Sequence, residues 1–225
     1  MKPKILLVDD EEWNISALTE ILDRCNGREK VYDYVSSSYE GLQQLYESMK
    51  EDVPYNAIIA DFNMDDMNGK QLLRALIGCL GYDMPFSEIE DLETFDEVRE
   101  VAGIEEEVVD SVEDIFGTFD EYKAFVRYYE EQDVARILFS GSYHGDNQKD
   151  PVLNGDVIYI QKDTHAKALG TYIEKRPDEG NTICERDIIA ALVTEGVLDP
   201  AKAEQALQGM PDYKAQNGLT GHLEE

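Results

Sequence analysis

Five short runs of β-branched and apolar residues, at 4–8, 31–35, 57–60, 136–139 and 157–160, are separated mostly by stretches of helical periodicity. Such alternation predicts an α/β fold around a parallel sheet, because a parallel neighbour is reached only through a crossover connection. The helix expected over 14–23 carries Ile15, Leu18 and Leu22 at spacings of three and four, and the next, over 39–49, carries Leu42 and Leu45. Each stripe can cover a sheet face. A chain of 225 residues can bury one sizeable core and still carry an appendage.

The spacing between the third and fourth runs exceeds what one crossover helix needs, so extra elements are expected there. Thr94 with Glu97, and Thr118 with Glu121, each fit a capping box at a helix start. Gly103 and Gly117 fall where helix C-caps would lie. Val98, Val101, Ile104, Val108, Val112 and Ile115 keep three- and four-residue spacing, with Glu105, Glu106, Glu107, Asp110, Glu113 and Asp114 mostly opposite. Two short acidic helices are read from this pattern. A further helix over 119–130, with Tyr122, Phe125, Val126 and Tyr129 on one stripe, leads back to the fourth strand.

Beyond a helix expected at 164–175, the turn-rich segment 176–181 reads as a domain boundary. A helical hairpin follows. Ile188, Ile189, Leu192 and Val193 lie in its first helix, Gly196 ends it, and Asp199-Pro200 supplies an N-cap and first-turn proline for the second. The expected organisation is residues 1–175 as one domain with a helical insertion at about 82–118, and 176–225 as a small C-terminal helical extension.

Charge narrows the function classes. The 49 acidic and 20 basic side chains give a formal charge of -29, which repels nucleic-acid phosphates and anionic lipid surfaces. DNA binding is not expected. Cys25, Cys79 and Cys184 form no pair with disulfide or zinc spacing, which fits a reducing cytosol. The N-terminal apolar run is too short for a signal peptide, and no later run has the length to span a bilayer, so a cytoplasmic protein without membrane insertion is expected.

The chemistry sits at strand ends. Asp9 and Asp10 follow the first strand and Asp61 ends the third, so a parallel sheet projects all three carboxylates from its carboxyl edge. Grouped carboxylates repel unless a cation neutralises them, and an all-oxygen shell suits Mg²⁺. Ser140 ends the fourth strand and Lys162 the fifth, which adds a hydroxyl and an ammonium to the same edge. Taken singly, each has a plainer reading: the aspartate pair as helix caps, Ser140 as a turn cap, Lys162 as a solvated lysine. Together they read as a phosphate site. Asp61 would attack phosphorus in line while Mg²⁺ and Lys162 offset charge on the equatorial oxygens. Ser140 could then bond a phosphoryl oxygen, making room for Tyr159, three residues before the lysine, to turn inward as a switch.

With these residues in this order, the chain resembles the receiver family of two-component response regulators (chemotaxis-type receivers) over about 1–80 and 119–175. In Asp61-Phe62-Asn63-Met64-Asp65-Asp66-Met67-Asn68-Gly69 the spacing from phosphoacceptor to glycine agrees with the family, as does the methionine three residues after the aspartate. The resemblance implies a flavodoxin-like, doubly wound five-stranded parallel sheet of order 2-1-3-4-5, here with helices inserted between strands 3 and 4 and a C-terminal hairpin. It makes Asp10 and Asp61 direct Mg²⁺ ligands, Asp9 a ligand through water, and the Asn63 backbone carbonyl the third protein oxygen. The implied donor is phosphohistidine of a sensor histidine kinase or a histidine phosphotransfer protein. The protein would be a phosphoacceptor rather than a turnover enzyme, signalling to a downstream protein target.

Asp65 and Asp163 stand where the family usually has proline. The first adds negative charge near the site; the second makes a cis bond costly, so a trans bond is expected. The stretch 142–155 reads poorly as the helix that family members place before the fifth strand. The usual output face is therefore expected to be rebuilt, with the acidic insert or the hairpin supplying it. Two rival readings share parts of this inventory. A haloacid-dehalogenase-type phosphatase also uses an aspartyl phosphate, but needs Asp-x-Asp where this chain has Asp61-Phe62-Asn63. A receiver-like scaffold that binds partners without phosphorylation would fit the missing prolines, yet every charged site residue is retained.

Overall fold

The computed structural model describes residues 4–26, 30–65, 67–81, 84–101, 103–140, 157–161 and 182–208. Five strands, β1 (Ile5–Val8), β2 (Tyr32–Val35), β3 (Ala57–Asp61), β4 (Ala135–Ser140) and β5 (Ile158–Gln161), form one sheet in the order β2-β1-β3-β4-β5. Every pairing is parallel. This is the flavodoxin-like order. The central strands β1 and β3 are buried at each position, as strands covered on both faces must be, and they read as unbroken apolar runs up to Asp61. The edge strand β2 instead mixes Asp33 and Tyr34 with apolar neighbours and is partly exposed.

The two-residue period divides these strands between two cores. Leu6, Val8, Ile58 and Ala60 face α2 (Ser38–Lys50) and α3 (Gly69–Leu76). Ile5, Leu7, Ala57 and Ile59 face α1 (Glu12–Asn26). The hairpin helices α7 (Thr182–Thr194) and α8 (Pro200–Gln208) join this second core. Ile188, Ile189, Leu192, Leu198, Ala203 and Ala206 are buried with Ile15, Leu18 and Leu22 of α1. The segment expected as an appendage thus packs on the sheet, with α7 against β4 and β5 and both helices against α1. Asp199 caps α8 as expected, its Oδ1 accepting from the amides of Ala201 and Lys202 at 2.9 and 3.1 Å. The helix expected at 164–175, the stretch 142–155 and Asp163 lie outside the described residues.

Between β3 and β4 the chain forms α3, a 3₁₀ turn (Phe86–Glu88), α4 (Phe95–Arg99), α5 (Glu106–Phe116) and α6 (Phe119–Glu130). The two short helices and the returning helix stand where their N-caps and stripes indicated, but α4 ends at Arg99 with Glu100 as its C-cap, so Gly103 is not the cap expected of it. Thr94 and Glu97 close a full capping box. Thr118 accepts from the Glu121 amide, while the Glu121 carboxylate accepts from the Tyr46 hydroxyl at 3.1 Å. Gly117 ends α5 at a φ of 73°, a left-handed turn that favours glycine.

Aromatic packing fixes this insert on the helices below it. Tyr46 of α2 meets Phe116 with ring centroids 4.5 Å apart, and Phe116 in turn meets Phe125 at 4.9 Å. Two buried hydroxyls add direction. Tyr122 donates to the Ala75 carbonyl of α3 at 2.8 Å, and Tyr129 donates to the Leu45 carbonyl of α2 at 3.0 Å while lying 2.6 Å from the Ser48 hydroxyl. Bonds of this kind contribute about 1 kcal/mol each, and more is lost when a buried partner is left unmet.

Candidate functional site

The carboxyl ends of β1 and β3 are neighbours in the sheet, so residues that follow them share one edge. Asp9, Asp10 and Asp61 meet there, each offering a carboxylate oxygen within 4.8 Å of the others. Asp9 and Asp61 are 1% and 3% exposed, whereas Asp10 is open to solvent. Two buried carboxylates beside a third are unfavourable in isolation, since each opposes ionisation of the next. The donor set is hard oxygen, and its spread suits a small divalent cation reached from the Asp10 side. The residues present therefore fit Mg²⁺.

Asp9 is held from inside the protein. The Glu11 amide donates to its Oδ1 at 2.8 Å, and the Asn14 side-chain amide donates to Oδ1 and Oδ2 at 3.1 and 2.8 Å. Its own amide continues the β1–β2 ladder to the Val35 carbonyl. Asp61 is the last residue of β3, in register with Phe139, and the next amide, Phe62, donates to the Phe139 carbonyl at 2.8 Å. The backbone under the third carboxylate is thus fixed on both sides.

The loop after Asp61 returns at Gly69, and here glycine is required by contact. A Cβ at residue 69 would fall 2.0 Å from the Asp61 carbonyl oxygen. The spacing from Asp61 to Gly69 read from the sequence has this physical cause. Met64 in that loop is buried and accepts from the Ser38 hydroxyl at 3.7 Å, while Asn63 and Asp65 are exposed. Asp66 lies outside the described residues.

Immediately after Gly69 a second network begins. Asn68 caps α3 in a full capping box with Gln71. The Gln71 side chain also donates to the Glu105 carboxylate at the start of α5. Buried Arg74 donates to the Gly81 carbonyl at 3.1 Å and lies 3.7 Å from the same Glu105. The first turn of α3, pressed against Asp61, is therefore bonded directly to the insert.

The remaining expected site residues are placed by their strands. Ser140 ends β4, one residue beyond the partner of Asp61, and is in register with Gln161, the last residue of β5. Tyr159 is in register with Leu138 within β5. Lys162, which follows Gln161 directly, lies outside the described residues, as do the side chains of Ser140 and Tyr159. Two participants escaped the sequence reading: Asn14, whose position four residues after Asp10 returns it to the strand end, and the Asn68–Gln71 pair, whose N-x-x-Q spacing is a capping signature.

A cavity of about 670 Å³ opens at the opposite edge, where Ala135, Arg136 and Ile158 begin β4 and β5. It shares no residue with the carboxylate cluster, and the chemistry of an all-oxygen cation site outweighs cavity size here. Among the described residues no helix is long and apolar enough to cross a membrane.

No family model matches the chain, and no curated protein matches it. Among solved structures it is similar to a two-component response regulator from Cytophaga hutchinsonii, with 18% identity and a TM-score of 0.42 over 78% of this chain and 97% of that one. It is also similar to the chemotaxis protein CheY4 of Vibrio cholerae, with 12% identity and a TM-score of 0.39 over 78% of this chain and 98% of that one.

Proposed function

We propose that this chain is a cytoplasmic receiver that takes one phosphoryl group onto Asp61 in a Mg²⁺-dependent reaction and signals by contact with another protein. The observation that carries the reading is the meeting of Asp9, Asp10 and Asp61 at the ends of β1 and β3. Residues 1–175 form the receiver, with an insertion at about 82–118, and the hairpin within 176–225 completes its second face.

Mg²⁺, when bound, supplies positive charge and Lewis acidity at the phosphoryl oxygens. Asp9, Asp10, Asp61 and the Asn63 backbone carbonyl are the groups that would hold it. An Asp61 oxygen attacks phosphorus in line as the bond to the donor imidazole breaks, and the imidazole nitrogen takes up a proton. Lys162 offsets charge on the transferred group, Ser140 donates a hydrogen bond to one of its oxygens, and Tyr159 responds by turning inward. The donor is a phosphohistidine of a sensor histidine kinase or phosphotransfer protein. Output through protein contact is supported by the charge of -29, which opposes docking on nucleic acid.

Incubation with acetyl phosphate and Mg²⁺, read by intact mass, is expected to add one phosphoryl group to the wild type and none to Asp61→Asn. Equal labelling of the two would overturn the assignment of Asp61. Continuous release of phosphate from small monoesters would point to a phosphatase, and absence of any label to a scaffold.

A further inference from the structure

The cavity at the amino-terminal edge of the sheet lies between three parts of the chain: the 3₁₀ turn near the start of the insertion, the end of α6 with the start of β4, and the end of α7. Its volume of about 670 Å³ falls within the range of about 300–1,000 Å³ that holds small ligands. The walls are set by the fold. Phe86 is buried against Gly78, where an added Cβ would lie 2.3 Å from Cδ2 of the ring, and the Ala135 amide donates to the Asn56 carbonyl at 3.0 Å. Ile77, Phe86 and Ile158 give the cavity apolar surface.

Its charged lining is mostly of one sign: Glu90, Glu130, Asp133 and Glu195 stand against a single base, Arg136. Among the described residues none of these four carboxylates is taken into a hydrogen bond or ion pair, whereas Arg99 gathers Asp96, Asp110 and Glu113. Two of them also stand at the unfavourable end of a helix. Glu130 is the last residue of α6 and Glu195 follows the last of α7, where unmet carbonyls already place partial negative charge and favour a cation. Unpaired acids brought together from separate segments repel one another, and a bound cation relieves that repulsion.

Spacing decides the kind of cation. Among the described residues the acids close enough together to hold a metal ion are Asp9, Asp10 and Asp61, so the cavity acids are too far apart to share one. A hard ion such as Mg²⁺ also keeps its water and gains nothing from apolar walls. Several ammonium groups on a flexible aliphatic chain meet both demands: the methylenes lie along Ile77, Phe86 and Ile158 while the ammonium groups reach separate carboxylates and the helix ends. We propose that this cavity is a binding site for an aliphatic oligoamine. It is separate from the carboxylate cluster at the other edge and does not depend on the phosphoacceptor role.

The test is calorimetric titration of the full chain with spermidine, hexamethylenediamine and hexylamine, in Mg²⁺-containing buffer at about physiological salt, where diffuse attraction to an acidic chain is screened. The wild type is expected to bind one spermidine, more tightly than the diamine, and the diamine more tightly than hexylamine. Glu130→Gln/Glu195→Gln should raise the spermidine Kd roughly fivefold or more. Glu107→Gln/Asp114→Asn removes the same charge from the exposed face of α5, outside the cavity, and should change the Kd by less than about twofold. All four positions are exposed, and a melting curve for each protein checks that it is folded. Absence of saturable spermidine binding to the wild type, or hexylamine bound as tightly as spermidine, overturns the proposal. An equal loss in the two double variants also overturns it, because binding would then be general attraction to an acidic chain.

Discussion

Replacing Gly69 by alanine probes how closely the start of α3 is held against the proposed phosphoacceptor strand. The added carbon would lie 2.0 Å from the Asp61 carbonyl oxygen, 2.9 Å from its carbonyl carbon and 3.0 Å from Cδ1 of Leu138. Non-bonded carbon contacts are comfortable at about 3.5–4.0 Å, so the backbone must yield by on the order of 1 Å. Neither side yields easily. Asp61 is fixed in β3 and Phe62 is bonded to β4, while α3 is tied by the Asn68–Gln71 box and by Tyr122 on its Ala75 carbonyl. Overpacking costs about 1–3 kcal/mol and a disturbed N-cap about 1 more, so Gly69→Ala should destabilise by roughly 2–4 kcal/mol. In an unobstructed helix the same change would stabilise by up to about 1 kcal/mol, so the sign is diagnostic. Urea unfolding followed by circular dichroism gives the stability change, and acetyl phosphate labelling tests whether Asp61 has been displaced. A Gly69→Ala protein as stable as the wild type and labelled at the same rate would refute the close contact and the reasoning built on it.

Tyr129→Phe should cost about 1–2 kcal/mol by urea unfolding, because it leaves the Leu45 carbonyl and Ser48 hydroxyl to find other partners. Ser48→Ala added to it should cost less than Ser48→Ala alone, and full additivity would deny the hydroxyl pair. Burial raises the phenols of Tyr55, Tyr122 and Tyr129 above the ordinary value, with the hydrogen bond to Asp33 adding to the effect at Tyr55. The unfolded chain therefore loses these protons first: their contribution is intact below about pH 10 and is lost above it, by up to about 1.4 kcal/mol per pH unit for each tyrosine. Urea midpoints measured from neutral to alkaline pH should show this fall, with a shallower slope in Tyr55→Phe; a slope identical to the wild type would exclude Tyr55 as a contributor.

The sheet was legible because β1 and β3, covered on both faces, demand apolar side chains at successive positions, and no other short element makes that demand. Once those strands are parallel neighbours, the meeting of Asp9, Asp10 and Asp61 follows from chain direction alone. Asn14 was hidden for the converse reason. Its value lies in the contacts of its side-chain NH2 group with the carboxylates of Asp9 and Glu11, and nothing in the periodicity of α1 sets it apart from a solvated polar residue. The partnership of Gln71 and Arg74 with Glu105 joins residues more than thirty positions apart and carries no local signal. The packing of the hairpin carries no local signal, because the turn-rich segment 176–181 sets it off from the strands it covers. What draws Ile188, Ile189 and Leu192 inward is the sheet face presented by Ile5 and Leu7, at the other end of the chain.

The insertion is legible as acidic but not as attached, and its attachment follows from electrostatics. Between residues 82 and 118 there are fourteen acidic side chains and one base, Arg99. Such a lobe repels itself and the remainder of the chain, which is also net acidic though far less densely so. Within the lobe, Arg99 ties Asp96, Asp110 and Glu113 together, drawing α4 onto α5. Toward the sheet, the hold must come from apolar packing and from the few groups that accept a carboxylate. Arg74 and Gln71, both on α3, do this for Glu105. That helix has eight residues and spans about 12 Å, short enough to move as one piece. Its first residue touches the Asp61 carbonyl, and its third and sixth hold the insert. The strand end beneath Asp61 and the start of α5 are thus joined through one short helix, by contact at Gly69 and by the bonds of Gln71 and Arg74 to Glu105.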